Sequence, residues 1–204
     1  MQERFQLLAA HPSLDFANTL DNRYSPSGPL ELLDSYADIV QFASECQLLS
    51  ASQARSVLRN IRPTDAENAL KVARELREAI ERIFSAIADG RKVPVRDLAI
   101  LNNHIEQALA HRQIEMRNGS FAWTWSGIET LAQGLLWPIS HAAGELLAAP
   151  DLNFVRRCDA STCRWLFLDT SKNHSRKWCD MKICGNRQKA RLHYKRRQSA
   201  LRTT

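Results

Sequence analysis

Four of the five cysteines lie close together near the end of this 204-residue chain. Cys158 and Cys163 are separated by four residues, fifteen residues follow, and Cys179 and Cys184 are again separated by four. Two such pairs can meet around one metal ion, because Zn²⁺ takes four thiolates tetrahedrally at about 2.3 Å from each sulfur. Four protein ligands leave zinc no open position, so the spacing predicts one structural zinc ion. The alternative is a set of buried or redox-active cysteines.

The two cysteine pairs need a connection that brings them together. After Cys163, Trp165 and Phe167 alternate with leucines, residues 171–174 are turn formers, and Lys177-Trp178 can return as a second strand. This pattern predicts a β-hairpin between the pairs. A helix is expected after Gly185, and its positive N-terminal end would stabilise a negatively charged metal–thiolate cluster. The expected order of cysteine pair, hairpin, cysteine pair and helix resembles a treble-clef zinc finger.

The positive charge of the chain is concentrated around the same cysteines. Residues 1–150 hold 14 Lys and Arg against 18 Asp and Glu, while residues 151–204 hold 14 against 4, which gives formal charges of −4 and +10. Four thiolates and one Zn²⁺ subtract two from the second value and still leave a strongly cationic segment. Such a segment predicts a nucleic acid as the partner. The predicted contacts are Arg176, Lys177, Arg187, Lys189, Arg191, Lys195, Arg196 and Arg197.

Three other functions are compatible with the basic segment. The cationic surface could serve solubility alone, it could bind RNA, or it could bind an acidic protein such as RNA polymerase. A nuclease with His174 as its base would need a second metal ion, and Asp159, Asp169 and Asp180 are the only carboxylates between the first and last of the clustered cysteines. We therefore expect the protein not to be an enzyme.

The rest of the chain is predicted to be mostly helical. We expect a multihelical domain over residues 1–150 with one small β-hairpin, followed by a small α+β zinc finger over residues 151–204. Alternating residues around Asn118-Gly119 predict the hairpin over 113–126, with Trp123 and Trp125 as its core and edge. Apolar spacing predicts helices over residues 28–49, over 94–109, and over 128–148 with a break at Pro138. Capping signals predict two more: a short helix that begins at a Ser50/Gln53 capping box, and a helix over 64–89 that begins at a Thr64/Glu67 capping box and stops at Gly90.

Two segments resemble known families. The segment 178–187, with its Cys184-Gly185-Asn186-Arg187 tetrapeptide, resembles the CGNR zinc finger family, and the segment 14–19 resembles the N-terminal signature of the ABATE domain. Together the resemblances cover almost the whole chain. They imply a bacterial, stress-linked transcription regulator in which the four clustered cysteines hold zinc and the basic helix contacts duplex DNA.

The predicted helical domain contains one candidate ligand pocket. His11, Asp15, Asn18 and Thr19 could line a site for a small-molecule effector that controls the finger. The alternative is that Asn18 and Thr19 cap or bridge the first turn of a neighbouring helix.

Composition limits where the protein acts. With 44% apolar and 25% charged residues, the chain has the balance of a globular protein. It contains no apolar run of the roughly 18 residues that a membrane span needs, and its first ten residues lack the layout of a signal peptide. We therefore expect a cytoplasmic protein without a membrane partner, and a homodimer is compatible with the sequence.

Overall fold

The computed structural model describes residues 4–117 and 119–190. The fold is mostly α-helical, as predicted, with three small antiparallel sheets of two strands each in the described residues. The helices are α1 (Pro12–Ala17), α2 (Tyr36–Glu45), α3 (Ala51–Asn60), α4 (Pro63–Ala88), α5 (Val95–Ala110) and α6 (Trp137–Ala148). The strands are β1 (Leu20–Asp21), β2 (Leu30–Glu31), β3 (Arg112–Arg117), β4 (Ser120–Trp125), β5 (Val155–Arg157) and β6 (Leu166–Leu168).

Helix α4 is the long central helix of the fold. Leu76, Ile80 and Ile83 recur at helical spacing and are fully buried. The helix ends in a Schellman motif, in which Gly90 has a φ of 65° and donates to the Ile87 carbonyl at 3.0 Å, while Arg91 N–H donates to the Ala86 carbonyl at 2.7 Å. The predicted stop at Gly90 is confirmed, because glycine adopts this left-handed conformation without strain.

Helix boundaries elsewhere depend on contacts between elements. The predicted helix over 28–49 is too long at its start, because Leu30–Glu31 pairs with Leu20–Asp21 as a strand and α2 begins only after Ser35. The Thr64/Glu67 capping box is wrong, since the residue that caps α4 is Arg62, two residues earlier, and Pro63 lies in the first turn. The Ser50/Gln53 box is confirmed by the hydrogen bond from Gln53 N–H to Ser50 Oγ at 3.2 Å.

Proline also separates the last two helical segments of the body. The predicted helix over 128–148 is split into a 3₁₀ turn, Ala132–Leu136, and helix α6, which carries Pro138 in its first turn. A proline fits there because the first turn of a helix has no intrahelical partner for its N–H groups.

One hydrophobic core runs through both the helices and the cysteine-rich segment. Phe16 of α1, Phe42 of α2 and Phe84 of α4 are fully buried, and the rings of Phe16 and Phe42 lie 5.4 Å apart. Phe167 of β6 is fully buried in the same cluster. The short helix α1 packs against α4, α6 and β6, so it links the body to the last hairpin.

The β3–β4 hairpin forms as predicted. Its register pairs Arg117 with Ser120 across the turn, and Gly119 has the positive φ of 79° that this tight turn requires. The expectation for its tryptophans is only half right: Trp125 is partly buried and lies edge-on to the His141 ring at 5.5 Å, whereas Trp123 is 61% exposed.

The described residues contain no helix that is both long enough and apolar enough to cross a bilayer.

Replacing Ile80 by alanine should lower the free energy of unfolding by about 2–5 kcal/mol, since the cavity forms at a fully buried position of α4. Leu58→Ala is the control, because the Leu58 side chain is 52% exposed and should cost less than about 1 kcal/mol. Urea unfolding followed by circular dichroism measures both values. Equal losses would contradict the assignment of α4 to the core.

Candidate metal centre

The first cysteine pair lies at the turn between β5 and β6. Cys158 follows β5, and its N–H donates to the Trp165 carbonyl at 2.8 Å, which closes the turn. Arg164 has a φ of 58°, so the chain reverses in the left-handed region just before β6. The backbone N–H groups of Ala160 and Trp165, each two residues after a cysteine, act to lower the pKa of the Cys158 and Cys163 thiols, respectively. Such donors stabilise a thiolate that binds metal.

The hairpin predicted between the two cysteine pairs is wrong in its strand partner. Strand β6 pairs with β5, with Arg156 opposite Phe167, and Lys177-Trp178 does not return as a strand. The other edge of β6 is already occupied, because Leu166 N–H donates to Asn18 Oδ1 at 3.0 Å and Leu168 N–H to the Ala9 carbonyl at 2.8 Å. No free edge is left for a returning strand.

The second cysteine pair is brought back by a loop that is organised around Asp169. This carboxylate is 1% exposed and accepts hydrogen bonds from the N–H groups of Ser171 at 3.0 Å and Arg176 at 2.9 Å. Burial by itself raises the pKa of Asp169, but the hydrogen bonds from Ser171 and Arg176 lower it below its usual value. The Lys177 carbonyl then accepts a hydrogen bond from the Asp159 N–H at 2.9 Å, so the loop ends beside the first cysteine pair.

A short helical turn presents the last cysteine. Asp180 caps this turn, Met181–Gly185, because its carboxylate accepts the Ile183 N–H at 2.7 Å. The N–H groups of Cys184 and Gly185 donate to the Asp180 carbonyl at 3.0 and 3.1 Å. Residues 186–190 continue as an α-helix.

The four sulfur atoms converge as the spacing predicts. The Sγ atoms of Cys158, Cys163, Cys179 and Cys184 all lie within 4.8 Å of one another, and all four residues are buried. Cys179 Sγ lies 3.6 Å from Cys163 Sγ and 3.6 Å from Cys184 Sγ. A tetrahedral zinc–thiolate site places its sulfur atoms about 3.8 Å apart, given Zn–S bonds of about 2.3 Å.

The protonation of the four thiols shows why a cation fits this cluster. Hydrogen bonds from Cys163 and Cys179 lower the pKa of the Cys158 thiol, and the same contacts with Cys158 raise the pKa of Cys163 and of Cys179. Burial raises the pKa of Cys184. Without a cation, the cluster therefore favours a single shared negative charge. A dication allows all four thiols to ionise, so the donor set fits structural zinc.

Comparison with known protein families identifies the chain. Residues 10–150 match the ABATE family, which is described as "Putative stress-induced transcription regulator". The chain belongs to the ABATE family. Residues 155–197 match the CGNR zinc finger, so the four cysteines lie inside a recognised zinc finger. Neither description names a reaction. No curated protein matches the chain.

The four residues that name the CGNR finger have different environments. Cys184 carries a sulfur of the cluster, and Gly185 is buried where an added Cβ would meet the Met181 side chain. Asn186 begins the α-helical residues, and Arg187 is exposed one residue later. The tetrapeptide therefore combines a metal ligand, a close approach of the backbone and an outward cation.

A side-chain clamp joins the CGNR finger to the ABATE body. Asn18 accepts the Leu166 N–H at 3.0 Å and donates to the Leu166 carbonyl at 2.9 Å. Thr19 donates to the Phe16 carbonyl at 2.7 Å at the end of α1. Both residues are buried, and their polar groups are used inside the fold. The sequence allowed either a ligand pocket or a contact with the first turn of a neighbouring helix for these two residues. Asn18 instead bonds to strand β6, and Thr19 bonds to the last turn of its own helix, α1.

Asp15 and His11, the other two residues of the predicted pocket, lie elsewhere. They line a surface cavity of about 220 Å³ together with Glu45 and Cys46, and neither Asn18 nor Thr19 lines it. The Asp15 carboxylate accepts the Ala9 N–H at 2.9 Å. Burial raises the pKa of Asp15 to about 7, although hydrogen bonds from the backbone oppose the shift. Of the four predicted pocket residues, His11 and Asp15 therefore line this cavity, and Asn18 and Thr19 do not.

A second junction joins the finger to the end of α4. Asp89 accepts a hydrogen bond from Arg157 at 2.5 Å and lies 3.6 Å from Arg164. Arg157 also donates to the Tyr24 hydroxyl at 3.1 Å. Burial by itself raises the pKa of Asp89, but hydrogen bonds from Arg91 and Arg157 lower it below its usual value. The Asp89 carboxylate therefore keeps its negative charge. Sequence reasoning missed this contact, because the residues are about 70 positions apart and only the fold brings them together.

The predicted nucleic-acid contacts divide into inward and outward side chains. The Arg176 guanidinium is directed inward: it donates to the Trp178 carbonyl at 2.8 Å and to the Cys179 carbonyl, and it lies 4.5 Å above the Phe167 ring. Lys177, Arg187 and Lys189 are exposed. The remaining predicted contacts lie outside the described residues; they are Arg191, Lys195, Arg196 and Arg197.

His174 is used structurally in this fold. Its ring is stacked on Phe154 at 3.7 Å, and Nδ1 forms a hydrogen bond with the Asp169 carbonyl at 2.8 Å. Within residues 4–117 and 119–190, the four cysteines are the only group of three or more metal-binding side chains that lie together.

The purified protein should contain one zinc ion per chain, and Cys163→Ser should lose it because three thiolates no longer close the site. Atomic absorption after dialysis measures the metal, and thermal unfolding should show a matching loss of stability. Cys46→Ser is the control, since Cys46 lies outside the cluster. Retention of zinc by Cys163→Ser, or its loss from Cys46→Ser, would overturn the assignment.

Asp15 should make stability fall as the pH rises. Its pKa is about 7 in the folded protein and near 3.8 when unfolded, so the folded state binds the extra proton more tightly between these values. The contribution of protonated Asp15 to the free energy of unfolding is complete below about pH 4 and is lost as the pH approaches 7. Compared with Asp15→Asn, the wild type should lose unfolding free energy between about pH 5.5 and 7.5. Parallel curves for the two proteins would refute this.

Proposed function

We propose that this ABATE-family protein is a transcription regulator whose zinc finger binds duplex DNA. The observation that carries the proposal is the division of the basic residues in the finger. Arg157, Arg164 and Arg176 are held by Asp89 or by backbone carbonyls, whereas Lys177, Arg187 and Lys189 are exposed. The fold uses the first group for its own stability and leaves the second group available to a partner.

The outward residues form a cationic surface next to the cysteine cluster. Lys182 is also exposed, on the turn that carries Cys184. Within the described part of the chain, none of Lys177, Lys182, Arg187 and Lys189 forms an ion pair with a carboxylate. Exposed cations that form no ion pair within the protein are suited to phosphate groups, since counterion release drives such binding.

The helix after the cluster provides a route to base recognition. Residues 186–190 are helical, and the sequence predicts that the helix continues to residue 202. Arg187 lies in its first turn, and Arg191 and Lys195 follow at helical spacing. A helix of this kind fits the major groove, where arginine pairs with guanine through two hydrogen bonds. In a bacterial cell, which the family resemblance implies, such a target lies in the cytoplasm, so the proposal includes a cytoplasmic location.

DNA affinity should fall steeply with salt. A slope of about −4 to −6 in log K against log [salt] is expected for roughly five to seven neutralised phosphates. The double variant Arg187→Ala/Lys189→Ala should weaken binding and reduce the magnitude of the slope by about two, because each lost phosphate contact contributes about one. Fluorescence anisotropy with duplexes selected from random DNA, at several salt concentrations, measures both quantities.

The matched control is Arg55→Ala/Arg59→Ala, which removes two exposed arginines from α3 in the body. This control should bind as the wild type does, and chelation of zinc should abolish binding by both proteins. A flat salt response, or an equal loss in the two double variants, would refute the proposal. Tighter binding to structured RNA than to duplex DNA would replace DNA with RNA as the partner.

A further inference from the structure

The hairpin β3–β4 carries an apolar face that faces solvent. Ile114 is 57% exposed, Met116 71%, Phe121 78% and Trp123 61%. We name these four residues the hairpin face. Isolated apolar side chains on a surface are ordinary, but four large ones on a two-stranded sheet form a continuous patch.

The strand register builds this patch. Ile114 is opposite Trp123 and Met116 is opposite Phe121, so the two pairs are successive positions on one side of the sheet. At the base of the same side, Arg112 is opposite Trp125, and its guanidinium lies 4.2 Å from the Trp125 ring centroid. Trp125 also lies edge-on to the His141 ring of α6 at 5.5 Å, so the base of the hairpin contacts the body, whereas the hairpin face extends beyond it.

The patch is large for the element that carries it. With typical side-chain areas, the four exposed fractions correspond to about 500 Å² of apolar surface. An isolated two-stranded hairpin is only marginally stable in water, and both of its outer edges lack a strand partner in the described residues. These features point to a surface that is covered in the working protein.

Charge distinguishes among the candidate occupants. The hairpin face contains no charged side chain, and the nearest cation on that side, Arg112, is placed over the rings of Trp123 and Trp125. With Arg112 held over these rings, the hairpin face offers no cation to a phosphate group, which disfavours both a nucleic acid and an anionic lipid surface. An uncharged apolar partner surface remains.

The same face on another copy meets this requirement. Two hairpin faces in contact bury about 1,000 Å², which is at the lower limit for a specific protein–protein interface before flanking residues are added. A two-fold axis near the Ile114–Trp123 pair would place each indole against the aliphatic side chain of the other copy, as an isologous interface requires. We propose that the protein forms a homodimer through its hairpin faces.

This dimer does not depend on DNA binding. The hairpin lies in the body, and the proposed DNA-binding cations lie in the finger, so substitutions on the hairpin face should leave the zinc site intact. If both proposals hold, the two-fold axis relates two fingers and predicts a palindromic DNA site.

The test is the mass of the full-length protein in solution. Sedimentation velocity and light scattering should give twice the 23.2 kDa of one chain at micromolar concentration. Phe121→Ser/Trp123→Ser should raise the dimer dissociation constant at least about 100-fold, because it removes both aromatic anchors. Met116→Lys is a second variant, since it places two like charges in a symmetric interface.

The control is Leu58→Ser/Leu109→Ser, which removes two leucines that are 52% and 54% exposed on other elements. It should remain a dimer. Circular dichroism and zinc content should be unchanged in all variants, since every substituted side chain is exposed. A monomeric wild type would overturn the proposal, and so would a dimer that survives both hairpin-face variants. Binding of a monomeric wild type to phosphatidylglycerol vesicles would assign the face to a lipid surface instead.

Discussion

The structure depends on four buried sulfur atoms that can all ionise only around a dication. The chain has to hold two distant cysteine pairs within 4.8 Å, and it does so with rigid backbone features rather than with a long helix or a large sheet. The turn after β5 positions the first pair, and the loop around Asp169 returns the second pair to it. Zinc binding and folding of this segment are therefore coupled, because metal and backbone each require the other to be in place.

The zinc finger and the helical body share one hydrophobic core. Strand β6 has no free edge, since β5 occupies one side and Asn18 and Ala9 occupy the other. The finger is thus positioned rigidly against α1 and the end of α4. This docking also selects which arginines can reach a partner: those that face the body are paired with Asp89 or hydrogen-bonded to carbonyl groups, and those that face outward are not.

The two proposed interaction surfaces follow from the same separation of charge. The outward cations lie on the finger, and the uncharged apolar hairpin face lies on the acidic body. A polyanion and a second copy of the chain would therefore bind at different places. This arrangement allows one protein to dimerise and to contact nucleic acid without competition between the two partners.

The sequence by itself determined the metal site, the helical character of the body, the β3–β4 hairpin and the concentration of charge near the cysteines. These features are local: cysteine spacing, apolar periodicity, and turn residues such as Gly119 act over a few positions. The strand pairing predicted from the sequence failed, because a distant segment forms hydrogen bonds with the same backbone groups. Strand β6 pairs with β5, and not with the residues that follow it, because Asn18 occupies its second edge.

Tertiary structure alone decided which polar and charged residues face inward. Asp89 and Arg157 are 68 positions apart, and nothing in the sequence near either residue indicates the contact. The same limit explains Arg176, whose charge suggests a phosphate contact but whose guanidinium satisfies carbonyl groups of the finger. It also explains Trp123, because alternation predicts which side of a strand a residue occupies but not whether another element covers that side.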